Sequence, residues 1–378
     1  MFGNILLDFF QVLLSSYGVD DVDRVNHFGS VTIFFSLAAC LAVAQFFGDP
    51  LQCWLPAQFT HGWELYVENY CFVESTYYVP LERRIPEFGD RTEEKIYHLQ
   101  YYQWVPYVLL LQGLFFIIPP LIWTAFSART GLNFTQLLKC CQDRDKLFPE
   151  NWMLAEEMIC ETLDHNLEIK DVQFVQSRFN KLLTKGTGCY MCILFLFVKF
   201  LSFMVVILQF LFLQHFLGQK SFWWAVLIPA NFLLFGQEWE VTGAFPRVTL
   251  CDFTVRTKGN LHTYTTQCVL KMNTFYEKIF ILLWFWLAFL AVFSILNFIY
   301  WLSIVLSSYF KRQFLCKYLR FTGKLGHSRF DKSQLQFFVD ALQADGVLML
   351  RLINARAGEL LSCQLINHLW DLHNNKLT

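Results

Sequence analysis

Four of the twelve cysteines stand apart by their spacing: Cys53 and Cys71 have 17 residues between them, and Cys251 and Cys268 have 16. Thiols held close together on an oxidising side form disulfides, and four thiols allow three pairings that spacing alone does not choose among. Cys189 and Cys192 form a Cys-x-x-Cys, yet no second ligand pair at zinc spacing follows. The nine histidines are scattered singly, apart from His368 and His373. No histidine cluster, phosphate-binding glycine loop, Gly-x-Ser-x-Gly elbow or kinase motif is present, so neither a metal, a cofactor nor an enzyme is expected.

Two ionisable residues in apolar surroundings are the remaining candidates. Lys199 lies about ten residues into an uncharged run. A cation inside a span is a functional hypothesis by default, here a transporter's binding site. The position favours a plainer reading, a Lys that snorkels along its stem or pairs with a carboxylate. The second is Asp8. With Asn4, Gln11 and Ser15 it falls at i, i+4, i+7 and i+11, one stripe of a helix whose remaining surface is apolar. One reading is an interfacial helix lying on the bilayer, although such helices usually carry Lys or Arg on the polar stripe and this one carries Asp8 and no cation; the other is pore lining. Residues 1 to 18 also lack the basic flank and small-residue cleavage site of a signal peptide and are expected to be retained.

The elements that must position these residues are membrane spans. Hydrophobic residues make up 55% of the chain and charged ones 16%, well below the soluble average of about 25% charged. The net charge of −1 excludes an overall electrostatic grip on nucleic acid. Uncharged runs at Phe28–Phe47, Trp104–Phe126 and Ile279–Phe310, with the run around Lys199 from Cys189 to Leu217, are each long enough to cross about 30 Å of hydrocarbon. The second begins in a Tyr/Trp cluster of the kind found at membrane interfaces and contains Pro119 and Pro120, which remove two backbone donors and kink it. Kinked spans suit channels and transporters, where neighbouring helices or a water-filled cavity satisfy the freed groups. The segment 222 to 236, short and interrupted by Pro229, reads as a buried or re-entrant piece.

The expected division is a 1–26 amino-terminal helix and linker, spans at 27–47, 103–126, 189–217 and 277–310, loops at 48–102 and 218–276 on one side, and segments 127–188 and 311–378 on the other. Lys and Arg accumulate on the cytoplasmic side, and the terminal and 127–188 segments hold nineteen against nine in the two loops. Both termini are therefore expected in the cytoplasm. The two cysteine pairs then face the oxidising side, and the remaining cysteines are expected reduced.

These residues carry a resemblance. Tyr101, Tyr102, Gln103, Trp104, Val105 and Pro106 spell the second-helix motif of the invertebrate innexins. Gly48-Asp49-Pro50 before Cys53-Trp54 and Pro56-Ala57 resembles that family's first extracellular loop. Asp20, Asp23-Arg24, Asn26, Gly131-Leu132-Asn133, Asp345-Gly346, Arg351 and Ala357-Gly358 extend the likeness over nearly the whole chain. Two cysteines per loop separate it from the connexins, which carry three.

The resemblance implies an all-α polytopic membrane protein, a four-transmembrane-helix channel subunit with cysteine-stapled extracellular loops and a helical cytoplasmic domain. It further implies a plasma-membrane gap junction subunit that assembles as an octameric hemichannel in lipid, alone or with other innexins. That hemichannel docks with an opposing one on the adjacent cell, and ions and small molecules pass. It implies the pairs Cys53–Cys268 and Cys71–Cys251, and it strengthens the pore-lining reading of Asn4, Asp8, Gln11 and Ser15. Two rivals are a pannexin-like hemichannel that releases solutes without docking and a transporter using Lys199. Pannexins of that kind carry bulky extracellular glycans, whereas the one Asn-x-Ser/Thr site here, Asn133 with Thr135, falls on the expected cytoplasmic side.

Overall fold

The computed structural model describes residues 20–74, 76–79, 97–127, 189–218, 221–227, 230, 245–324 and 329–377. Asn4, Asp8, Gln11 and Ser15 lie outside the described residues, as does the 127–188 segment beyond Ser127. Among the described residues, four helices are long and apolar enough to cross a membrane: α1 (Asp21–Phe47), the broken pair α3 (Val105–Phe115) and α4 (Ile118–Ser127), α5 (Tyr190–Phe216) and α6 (Lys271–Leu306). Between and after them come β1 (Leu51–Trp54), α2 (His61–Glu74), β2 (Thr76–Tyr78), β3 (Tyr97–Leu99), β4 (Val248–Thr257), β5 (Asn260–Leu270), α7 (Ser308–Phe321), α8 (Arg329–Ala357) and α9 (Glu359–Leu377). Of the short apolar segment from 222, Trp224 to Leu227 form one helical turn.

Local chemistry sets the helix ends. The first helix begins at Asp21, earlier than residue 27, because Asp20 in extended conformation caps it by accepting from the Asp23 N–H at 3.2 Å. It passes through a π turn at Val25–Gly29 before becoming regular. The second span breaks at Phe116 and Ile117, just before Pro119 and Pro120, whose missing N–H groups leave the Phe115 and Phe116 carbonyls without their helical donors. The fourth starts at Lys271, earlier than residue 277, and ends at Leu306, where Ser307 in extended conformation opens α7.

Two compact units divide the chain. One is built from Val31–Phe115 and Val206–Ala291. It carries the loops, which form more than staples: an antiparallel five-stranded sheet in the order β1-β5-β4-β2-β3. The β4–β5 hairpin turns at Lys258 and Gly259, both at positive φ (47° and 89°), as a two-residue turn matched to strand twist requires. Alternation places Thr266, Cys268 and Leu270 of β5 inward while their neighbours face out. In the same unit Gly113 of α3 lets Phe35 of α1 lie against the backbone, since a Cβ there would meet the ring at 2.6 Å.

The other unit is built from Met1–Ser30, Phe116–Val205 and Val292–Thr378. A single apolar core joins span residues such as Trp123, Phe195 and Trp301 to Leu315, Phe338, Leu350, Leu365 and Trp370 of α7, α8 and α9. Asp345 of α8, fully buried, accepts from the Cys192 N–H at 3.0 Å, satisfying one of the orphan donors in the first turn of α5. Arg351 donates to the Phe310 carbonyl at 2.6 Å with its guanidinium over the Phe314 ring, and Gly358 at a φ of 94° separates α8 from α9.

Candidate functional site

In the sheet-bearing unit, β1 and β5 place Cys53 directly opposite Cys268, and a disulfide joins the two. A second joins Cys71 in the last turns of α2 to Cys251 on β4. The sulfurs of Cys53, Cys71 and Cys268 lie within 4.8 Å of one another, so the two bridges stack as one covalent centre. These sulfurs are bonded to one another as disulfides and offer no thiolate to a metal. Helix α2 packs on this centre through Val67 and Cys71, and Glu68 accepts from the Cys53 N–H at 3.3 Å. Beside it Phe59, Trp63, Phe253 and Tyr264 form an edge-to-face and stacked cluster, with Phe59 and Tyr264 centroids 5.6 Å apart. The outer surface exposes Trp54 at 75% and, near the hairpin tip, Leu261 at 63%.

The Tyr-Tyr-Gln triplet explains itself at this point. The last carbonyls of a helix have no partner within it. Tyr102 donates from its hydroxyl to the Phe72 carbonyl at 3.1 Å, and the Gln103 amide donates to the carbonyls of Phe72 and, at 3.0 Å, Val73. The motif is therefore the C-terminal cap of α2, supplied from the start of the second span. Tyr101 donates to Asn273 Oδ1 at 3.0 Å, and the Tyr276 hydroxyl donates to the Tyr102 carbonyl at 3.0 Å, which brings in the first turns of α6. Burial pushes the Tyr101 and Tyr102 hydroxyls up, so both remain donors through the physiological range. Trp104 is exposed and Pro106 buried, the former as expected of an interfacial belt.

The second constellation lies in the other unit and surrounds Lys199. Its ammonium donates to Asp20 Oδ2 at 2.7 Å and Asp23 Oδ2 at 2.6 Å, with the Phe195 and Trp301 rings within 5.8 Å. Trp301 donates from its indole to Asp20 Oδ2 at 2.6 Å, and the Asn297 amide to Asp20 Oδ1 at 3.4 Å. Burial disfavours the Asp20 carboxylate, but the Lys199 ammonium and the hydrogen bonds around it hold its pKa at about 2. Lys199 pairs with carboxylates, so the transporter reading loses the free cation on which it relied. Lys199 stands out in the sequence by its place inside a span, with Asp20 and Asp23 visible before the first span, whereas Trp301 and Asn297 carry no sequence signal and only the fold brings them within reach.

A family model described as Innexin matches residues 20–373. Innexin unc-9 of Caenorhabditis elegans is 37% identical over 379 residues, covering 97% of this chain and 96% of that protein. Innexin-16 of the same organism is 34% identical over 376 residues, covering 98% and 94%, and Innexin-3 is 33% identical over 371 residues, covering 95% and 84%.

Proposed function

The chain belongs to the innexin family and is a multi-pass membrane subunit of gap junction channels, and from that premise we propose that eight copies enclose one pore and dock end to end with a second ring on the adjacent cell. The observation that carries this reading is the doubly bridged sheet: a covalently fixed surface at the end of four spans is what a docking contact needs, since a preorganised face loses little entropy on binding. The sheet is extracellular and both termini are cytoplasmic in this reading, supported by the excess of Lys and Arg in the terminal and 127–188 segments. The division into extracellular loops, spans and cytoplasmic segments is part of the same proposal. The chain acts as a conduit and not as an enzyme.

Residues 2 to 16 line the pore mouth, with Asn4, Asp8, Gln11 and Ser15 toward water. Each subunit then adds one Asp8 carboxylate to a ring, and such rings favour cations. Reversal potentials in asymmetric salt measure this: Asp8→Asn is expected to shift permeability toward anions, and an unchanged potential removes Asp8 from the pore. The assembly itself is tested by imaging the purified chain, which is expected to show eight-fold rings and end-to-end pairs of rings. Rings of another order overturn the octamer, and rings that never pair overturn self-docking.

A further inference from the structure

Helix α6 has 36 residues, roughly 54 Å at 1.5 Å per residue, whereas a bilayer with its headgroups is about 40–45 Å thick. Its first turns hold Lys271, Glu277 and Lys278, and no charge follows from Ile279 to its end at Leu306. The uncharged part therefore crosses the hydrocarbon, and α7, which opens at Ser308 after the extended Ser307, starts at the level of the lipid headgroups. Leu306 and Tyr309, exposed at 72% and 67%, stand at that junction, where an apolar body and a polar tip suit the edge of a leaflet.

The two faces of α7 differ in kind. Leu315, Tyr318 and Leu319 are buried in the core shared with α8 and α9. The opposite face presents Tyr309, Gln313, Lys317 and Arg320 at helical spacing, with Arg312 beside them and an exposed Phe321 at the far end. With Lys311 and Lys324 the segment carries five cations. Two carboxylates stand against them: Glu359 pairs with Lys317 at 2.8 Å, and Asp371 pairs with Lys324. Lys311, Arg312 and Arg320 make no ion pair among the described residues. A basic cluster on an amphipathic helix directly after a span has the charge that anionic headgroups neutralise, and Arg forks take phosphate oxygens two at a time. We propose that the outward face of α7 binds anionic phospholipid headgroups, whose phosphate oxygens accept from Arg312 and Arg320 while Tyr309 and Phe321 rest in the interface of the leaflet. In the orientation proposed above this is the cytoplasmic leaflet, the anionic one; binding itself rests only on α6 being a span. Anchoring α7 ties the helical core behind it to the membrane surface.

The test titrates the full-length channel against fluorescent phosphatidylserine in phosphatidylcholine–detergent micelles and reads fluorescence anisotropy. Saturable binding is expected, with none for a phosphatidylcholine probe that carries the same fluorophore. Each cation beside an anionic headgroup contributes roughly fivefold, so Arg312→Gln combined with Arg320→Gln is expected to weaken binding about twentyfold. Arg256→Gln, which removes an exposed cation from the β4–β5 hairpin, is expected to leave binding unchanged. If the double variant fails to assemble, Arg320→Gln decides alone, with an expected loss of about fivefold. Equal binding of the two probes, an affinity unchanged in the assembled Arg variant, or an equal loss in Arg256→Gln overturns the proposal. So does displacement by potassium phosphate beyond that by potassium chloride of equal ionic strength, which marks a site for free anions. Rings of another order, or rings that never pair, leave this result standing, so the two readings fail separately.

Discussion

The sheet and the α7–α9 helices are both small additions to a set of membrane helices, and they are held together by opposite means. The sheet buries Leu51, Tyr77, Leu99, Phe253 and Leu270, leaves Trp54 and Leu261 exposed, and is tied by two stacked disulfides. The helices bury Leu315, Leu350, Leu365 and Ile366 to 1% exposure or less, while Cys316 and Cys363 among them remain free thiols. Ordering a thin layer of strands costs conformational entropy, and here covalent bonds add to a small core. Helices with a wide apolar stripe can build that core themselves. The contrast matches the proposed placement of the sheet in an oxidising compartment and the helices in a reducing one.

Breaking the staples is expected to have the largest effect. Cys53→Ser leaves the β1–β5 pair with its ladder alone, at a cost of about 2–5 kcal/mol, and junctional conductance between paired cells is expected to be lost. Cys363→Ala in the helical region is expected to conduct as wild type, which would sharpen the contrast; equal loss in both variants would erase it. Lys199→Met comes next, because it leaves Asp20 and Asp23 together without their ammonium. The expected loss is about 3–5 kcal/mol in thermal unfolding of the detergent-solubilised channel, partly recovered by adding Asp20→Asn.

Truncating the helical core with Leu365→Ala is expected to cost about 2–5 kcal/mol in the same melt and to leave the sheet's disulfides intact on non-reducing peptide mapping. The smallest effect belongs to Tyr102→Phe. Gln103 still donates to the Phe72 carbonyl, so the loss is expected near 1 kcal/mol, measurable as a lowered melting temperature with unchanged coupling.

The four spans were legible because long uncharged runs report the thickness of the bilayer, and the α3–α4 break because proline has a single chemical consequence wherever it falls. The cysteine pairs were legible as pairs, but the register that sets Cys53 against Cys268 comes from strands 215 residues apart in sequence. The sheet itself was not. The hairpin signal at Lys258-Gly259 is weak beside Asn-Gly or Asp-Gly, and the Thr-rich β5 shows little apolar alternation until Thr266. The early start of α1 was hidden for an electrostatic reason: Asp20 and Asp23 look like a solvated patch until Lys199, 179 and 176 positions away, supplies their partner.

The most direct test of the account records electrical coupling between two cells that each express only this chain. A docking channel subunit predicts junctional current between the pair that disappears when Cys53→Ser replaces the wild type in both cells. Current across the membrane of single cells with none between partners would contradict it and identify a hemichannel that does not dock.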